Sequence, residues 1–182
     1  MKSLNFLLCA VLLVGGCFRS LQPVYTTEQV VFVSALVGEW VVGSETWAVT
    51  KSGAAAYRVV HTDENGASGV FLGHLFNVDG HLFVDLVPVQ TEFRSSGLHS
   101  GAYQPIHMLA KVIRIVPTPQ FAPLEEQWLN EYLAQHPHEL RHERIDTESV
   151  VTASTSEIQA FLLRHVKTPK AFQVDPPWER AR

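Results

Sequence analysis

Hydrophobic and polar residues alternate in the middle of the chain in the pattern of two paired β-strands. The pattern covers residues 69–88 and has Asp79-Gly80 at its centre. Asp-Gly favours the two left-handed positions of a type I′ turn, and apolar residues flank it on both sides. In the second arm, alternate side chains face opposite ways: Leu82, Val84 and Leu86 on one face, and His81, Phe83 and Asp85 on the other. Because both faces carry apolar residues, we predict that this hairpin lies at the centre of a closed or doubly covered sheet.

Short strand-like segments surround the hairpin at intervals of roughly ten residues. They cover residues 36–42, 45–50 and 56–62 before it and 106–116 after it, and turn residues follow the second and the third segment. The polar, glycine-containing stretch 90–104 predicts a long exposed loop. Regular spacing of this kind is typical of an antiparallel meander, sandwich or small barrel.

After Pro117, Pro119 and Pro123 the apolar spacing becomes helical. The first predicted helix ends at His136-Pro137, and its apolar face holds Leu124, Trp128, Leu129, Tyr132 and Leu133. Short strands follow over residues 140–145 and 149–153. Ser154 and Glu157 then form a capping box that opens a second helix. The predicted fold is therefore mainly β (α+β), an antiparallel curved sheet or barrel with two C-terminal helices packed on it.

The first 17 residues resemble the signal peptide of a bacterial lipoprotein. Lys2 precedes an apolar core that is too short to cross a bilayer, and Val14-Gly15-Gly16-Cys17 resembles a lipobox. The resemblance implies that Cys17 becomes the lipidated first residue of the mature chain; the alternative is an ordinary signal peptide with a cysteine nearby. We therefore expect a signal peptide over residues 1–16, a lipidated tether over 17–25, one domain over 26–172 and a loosely ordered tail over 173–182.

Cysteine content and charge narrow the function further. Cys9 leaves with the signal peptide and Cys17 carries lipid, so no thiol remains for a disulfide, a thiolate metal site or a nucleophile. Without residues 1–16 the chain has 166 residues, and losing Lys2 leaves 13 basic against 18 acidic residues. This acidic balance argues against nucleic acid as a partner.

Gly38-Glu39-Trp40 resembles the Gly-x-Trp signature in the first strand of lipocalins. In that family the tryptophan plugs the closed end of an eight-stranded barrel, so the resemblance implies a lipocalin-like barrel; the alternative is simply a buried strand tryptophan. A wider set of segments resembles a family of bacterial lipoproteins whose activity is uncharacterised: residues 36–40, 73–86, 105–107 and 152–162. This second resemblance implies an envelope location and assigns no catalytic residue.

Polar residues within and next to the predicted strands form the main candidate binding site. They are His74, His81, Asp85 and His107, with Phe83 among the nearby aromatic residues. A carboxylate and imidazoles inside a barrel could orient a ligand or act as an acid–base pair. Alternatively, Asp85 accepts hydrogen bonds from backbone amides and the histidines have structural partners. The aromatic residues, which include Phe71, Phe76, Phe93 and Tyr103, either belong to the core or line an open barrel.

Several other kinds of chemistry have no support in the sequence. His136, His138 and His142 are close in the chain, but Pro137 and the charge-alternating residues after it predict a loop leading into a strand. Without HExxH or Cys/His spacing, no metal site is predicted. There is also no Gly-x-Ser-x-Gly elbow and no phosphate-binding glycine loop before a helix.

These patterns favour a lipid-anchored protein of the bacterial cell envelope, without a cofactor, that binds a small hydrophobic ligand or an envelope partner. An alternative is an envelope enzyme that uses Asp85 with His81 or His107 on a carbohydrate or lipid-derived substrate. A third hypothesis is a purely structural lipoprotein. By resemblance to enterobacterial sorting, Phe18 rather than Asp after Cys17 favours the outer membrane, facing the periplasm.

Overall fold

The computed structural model describes residues 18–89 and 106–181, which form a strongly curled antiparallel sheet, or half-barrel, with two helices. This confirms the predicted mainly β, curved-sheet class with two helices. The predicted loop over residues 90–104, with Phe93 and Tyr103, lies outside the described residues, as does the N-terminal stretch 1–17.

Eleven strands and two α-helices make up the described part of the chain. In order, they are β1 Val30–Val31, β2 Gly38–Val42, β3 Glu45–Ser52, β4 Ala56–Thr62, β5 Ser68–Val78, β6 His81–Pro88, β7 Met108–Arg114, β8 Gln120–Pro123, α1 Glu126–Gln135, β9 His142–Ile145, β10 Glu148–Val151, α2 Thr155–His165 and β11 Glu179–Arg180. The main sheet has the strand order β11-β2-β3-β4-β5-β6-β7-β8, and β1 also pairs with β5. β9 and β10 form a separate two-stranded hairpin.

The predicted hairpin is the pair β5 and β6 at the middle of this sheet. Its turn has φ of 50° at Asp79 and 81° at Gly80, the two left-handed residues expected of a type I′ turn. The side-chain oxygen of Asn77 accepts a hydrogen bond from the N–H of Gly80 at 2.9 Å. Apolar residues are buried on both faces, Phe83 on one and Leu75 on the other. The prediction of a doubly covered central hairpin is therefore confirmed.

Two apolar cores lie against the two faces of the sheet. The helix-side core joins Phe76, Phe83 and Leu109 of the sheet to the buried faces of α1 and α2. The inner core lies within the curl of the sheet and holds residues from six strands and the turn before β2: Leu36, Trp40, Val49, Tyr57, Val59, Leu75, Val112 and Phe121. Burial on both faces explains why β5 and β6 read as nearly continuous apolar runs.

Helix α2 is capped at its start and bonded to the sheet at its end. Glu157 accepts a hydrogen bond from the backbone N–H of Ser154 at 2.8 Å, as the capping box predicts. At the other end, the Lys111 ammonium of β7 donates to the carbonyl of Val166 at 3.0 Å. A cation at the carboxyl end of a helix also favours the helix dipole. The Lys111 bond attaches the end of α2 to β7.

The C-terminal segment, residues 172–181, is ordered and lies along both outer strands of the sheet, so the prediction of a loose tail was wrong. Backbone N–H groups of Gln173, Asp175 and Trp178 donate to the β8 side of the sheet at 2.8–3.2 Å. Glu179 and Arg180 then pair with β2 as β11. Non-local backbone pairing of this kind has no signature in a short segment that contains Pro-Pro. The segment therefore bridges the two outer strands of the curled sheet.

The N-terminal segment, residues 18–25, is part of the core and not a tether. Phe18 is 1% exposed, and Ser20 and Val24 are fully buried. Ser20 exchanges two backbone hydrogen bonds with His107, and Arg19 and Leu21 bond to the backbone of Val151. The segment thus lies between β7 and β10. Its apolar residues pack against the helix-side core, which is why the prediction of a tether was wrong.

Candidate functional site

Asp85 lies at the centre of the predicted polar site and is fully buried. One carboxylate oxygen accepts a hydrogen bond from the backbone N–H of Val24 at 3.1 Å. The other lies 2.7 Å from Nδ1 of His107. A buried carboxylate is costly unless it has such partners. Asp85 therefore connects three separate parts of the chain: the N-terminal segment, β6 and the start of β7.

His74 and Tyr25 extend this site along β5. His74 is paired with Asp85 across the β5–β6 hairpin, and the Tyr25 ring stacks on the His74 ring at a centroid distance of 4.4 Å. Burial lowers the pKa of His74 and His107 lowers it further, whereas Asp85 acts in the opposite direction. Burial, followed by the charge of Asp85, raises the pKa of Tyr25. Both shifts favour the neutral form of the side chain.

Asp85 has the surroundings of a structural residue: it is buried and hydrogen-bonded within the protein, and a substrate cannot reach it. A general acid or base must come within hydrogen-bonding reach of its substrate. Both oxygens of Asp85 already have partners, and no part of the side chain is exposed. Nδ1 of His74 is buried without a hydrogen-bond partner among the described residues.

His81 and Phe83 do not join Asp85 in one site. His81 starts β6, four residues before Asp85, and this separation corresponds to ~13 Å along a strand. Phe83 is fully buried in the helix-side core, where its ring lies 5.7 Å from Phe76 and 6.3 Å from Phe172. Phe83 is therefore a core residue. Of the predicted site residues, the structure brings together His74, Asp85 and His107.

The other predicted sites are described only in part. Cys17 lies outside the described residues. His142 is in β9 and its Nδ1 lies 2.8 Å from the carbonyl oxygen of Leu140, while His136 and His138 follow α1. Within residues 18–89 and 106–181, no three His, Cys, Asp or Glu side chains are grouped as a metal ion would require. None of the helices in these two stretches is long and apolar enough to span a membrane.

The inner face of the sheet carries a group of half-buried apolar side chains on three neighbouring strands, β5, β6 and β7. We call this group the inner apolar wall; it consists of Phe71, Leu82, Val84, Leu86 and Ala110. Val84 is paired with Leu75 of β5 and Ala110 of β7, so the wall is continuous across the strands. The alternation of β6 predicted which side these residues face. It did not identify them as a candidate site, because partial exposure depends on the curl of the whole sheet.

No family model, curated protein or solved structure matches this chain.

Proposed function

We propose that this chain is a lipid-anchored protein of the bacterial cell envelope, and that its curled sheet binds a small hydrophobic ligand on the inner apolar wall. The anchor rests on the lipobox-like Val14-Gly15-Gly16-Cys17. The ligand site rests on one observation, the continuous set of half-buried apolar side chains on β5, β6 and β7. Ligand pockets are concave and lined mainly by apolar and aromatic side chains, with few polar groups.

A binding role is preferred to an enzymatic one because of where the polar groups lie. Asp85 and His107 bond to each other, and Asp85 is sealed beneath the N-terminal segment. The wall itself carries aliphatic groups and one aromatic ring, Phe71. Such a surface favours apolar contact and supplies no acid–base group. If the sheet is lipocalin-like, the ligand would enter from the open side of the curled sheet.

Binding is tested with a protein that begins at residue 17 and carries Cys17→Ser, so that no lipid occupies the wall. Titration with the apolar fluorophore N-phenyl-1-naphthylamine should raise its emission at a saturable site. Ala110→Phe adds bulk on the wall and should weaken binding at least tenfold. Ile113→Phe is the matched control, since Ile113 is exposed on the same strand and does not belong to the inner core or its wall. Folded protein that fails to bind the fluorophore would favour the purely structural role. Equal affinity in both variants would show that the fluorophore binds away from the inner apolar wall.

The anchor is tested separately in cells. Cys17→Ser should release the domain from the membrane fraction or leave an uncleaved precursor. Normal processing together with membrane retention would rule out the lipobox interpretation. An outer-membrane location facing the periplasm is expected, and density separation of the membranes tests it.

A further inference from the structure

The position of Phe18 is fixed relative to the rest of the domain. Phe18 is 1% exposed, and the backbone of the next three residues is bonded on both sides, to His107 and to Val151. Consecutive Cα atoms are about 3.8 Å apart. A lipid attached to Cys17 would therefore be joined almost directly to the folded core, without a flexible spacer. The surface next to Phe18 must then lie close to the bilayer.

The β9–β10 hairpin lies beside this entry point. Ser20 and Val151 form a parallel bridge, so β10 and the N-terminal segment run in the same direction. The backbone before Arg19 therefore lies on the side where β10 begins. The Arg19 guanidinium binds the carboxylate of Glu148, the first residue of β10. The hairpin turn, which precedes Glu148, thus lies on the same side of the domain as Phe18.

The tip of this hairpin exposes an apolar side chain next to a basic one. Ile145 is 58% exposed, and Arg144 beside it is also exposed. The turn is tight, since Ile145 pairs directly with Glu148 and Asp146 has φ of 54°. Single exposed apolar residues are ordinary on protein surfaces, and this chain has others, such as Val116. What sets Ile145 apart is its position beside the proposed anchor.

We infer that the tip of the β9–β10 hairpin, Ile145 with Arg144, contacts the phospholipid surface beside the lipid anchor and fixes the orientation of the domain on the membrane. This inference rests on the proposed lipidation of Cys17. Ile145 would enter the boundary between head groups and acyl chains, and Arg144 would bind lipid phosphate. An amphipathic contact of this kind is weak alone, but a covalent anchor keeps it at high effective concentration.

The inference is tested with the lipidated protein in vesicles of phosphatidylethanolamine and phosphatidylglycerol. The mature chain has no thiol besides Cys17, so Thr147→Cys provides one label position at the hairpin tip for a nitrobenzoxadiazole fluorophore. Asn65→Cys is the control. Asn65 is exposed in the turn between β4 and β5, and β5 and β6 lie between β4 and β7 in the sheet. Nitroxide-labelled lipid should quench the label at 147 at least twice as much as the label at 65.

A second variant separates contact from mere proximity to the anchor. Adding Ile145→Ser to Thr147→Cys should reduce the quenching by at least half if Ile145 enters the lipid. Unchanged quenching, or equal quenching at positions 147 and 65, would overturn the inference. Co-sedimentation with vesicles and the mass of the acylated N-terminus are measured on the same sample. Protein that sediments with its acyl chains but shows no extra quenching at 147 contradicts the hairpin contact alone; protein without acyl chains contradicts both proposals.

Discussion

The guanidinium carbon of Arg180 lies 4.5 Å from the centroid of the Trp40 ring. Arg180 is in β11 and is paired with Trp40 of β2, so the contact attaches the C-terminal segment to the first long strand. Gly38 leaves the space that the guanidinium occupies, because a Cβ at this position would overlap Arg180. The indole N–H of Trp40 donates to the carbonyl of Leu36 at 2.9 Å. The Gly-x-Trp pattern thus has a local physical reason.

Replacing Arg180 with Ala should weaken the attachment of the C-terminal segment. An exposed cation–π contact contributes about 0.5–1 kcal/mol, so we expect a loss of that size in the free energy of unfolding. Urea denaturation measures it, and Arg58→Ala, an exposed arginine on β4, is the control. If the two variants are equally stable, Arg180 does not hold the segment.

Asp175 makes the attachment of the same segment sensitive to pH. Burial, and then the charges of Glu125 and Glu45, raise the pKa of Asp175 from 3.8 to about 6. Because the folded protein binds this proton more tightly than the unfolded chain, the stabilisation is complete below pH 3.8 and is lost as pH rises through about 6.

Asp175→Asn should therefore remove this dependence. We expect the variant to be more stable than wild type at pH 7, with the difference shrinking towards pH 4. Thermal unfolding of both proteins from pH 4 to pH 7 tests the sign. A variant that is less stable at pH 7 would show that the carboxylate makes a favourable contact in its charged form.

Asp85→Ala distinguishes a structural from a catalytic carboxylate. Its removal leaves the buried N–H of Val24 and the ring of His107 without their partner, which should cost about 1–3 kcal/mol. Asp85→Asn keeps an acceptor for one of these groups and should cost less. Denaturant unfolding of the two variants gives both values. An Asp85→Ala protein more stable than wild type would reverse our preference for a non-enzymatic role, since active-site groups are often held at a cost to stability.

Gly80→Val tests the turn of the central hairpin. A Cβ at Gly80 meets no atom within 4 Å, so any loss reflects backbone strain at φ of 81° and not a clash. A β-branched residue in this region should cost about 1–3 kcal/mol. Gly80→Asn is the matched control, because asparagine tolerates left-handed backbone better. Urea melts of the two variants should differ; equal stability would mean that the turn relaxes to another type.

Local patterns predicted the parts of the fold whose causes are local. Asp79-Gly80 and the alternation of β6 identified the central hairpin and its two faces, and the pair Ser154 and Glu157 identified the start of α2. The two segments at either end of the described chain were misread as loose. Their order depends on backbone bonds to strands more than 50 residues away, such as that of Asp175 to Phe121, and no residue pattern reports such bonds.

The polar site was also predicted where it depends on local patterns and missed where it depends on the fold. Asp85 and His107 were noticed because polar residues stood within or next to apolar strands. The second partner of Asp85 is the backbone N–H of Val24, a group that every residue except proline possesses. Its position comes from the fold alone. The sequence therefore predicted three residues of the cluster, His74, Asp85 and His107, and left open whether Asp85 bonds to backbone amides.

The C-terminal segment has a further consequence for how the molecule behaves in a crowded compartment. An uncovered strand edge has a row of free N–H and C=O groups that can pair with another chain. Here the segment occupies the outer edges of β2 and β8, so these strands offer no template for a neighbouring molecule. Loss of the segment would therefore do more than weaken the fold: it would leave the edges of β2 and β8 open to pairing with another chain.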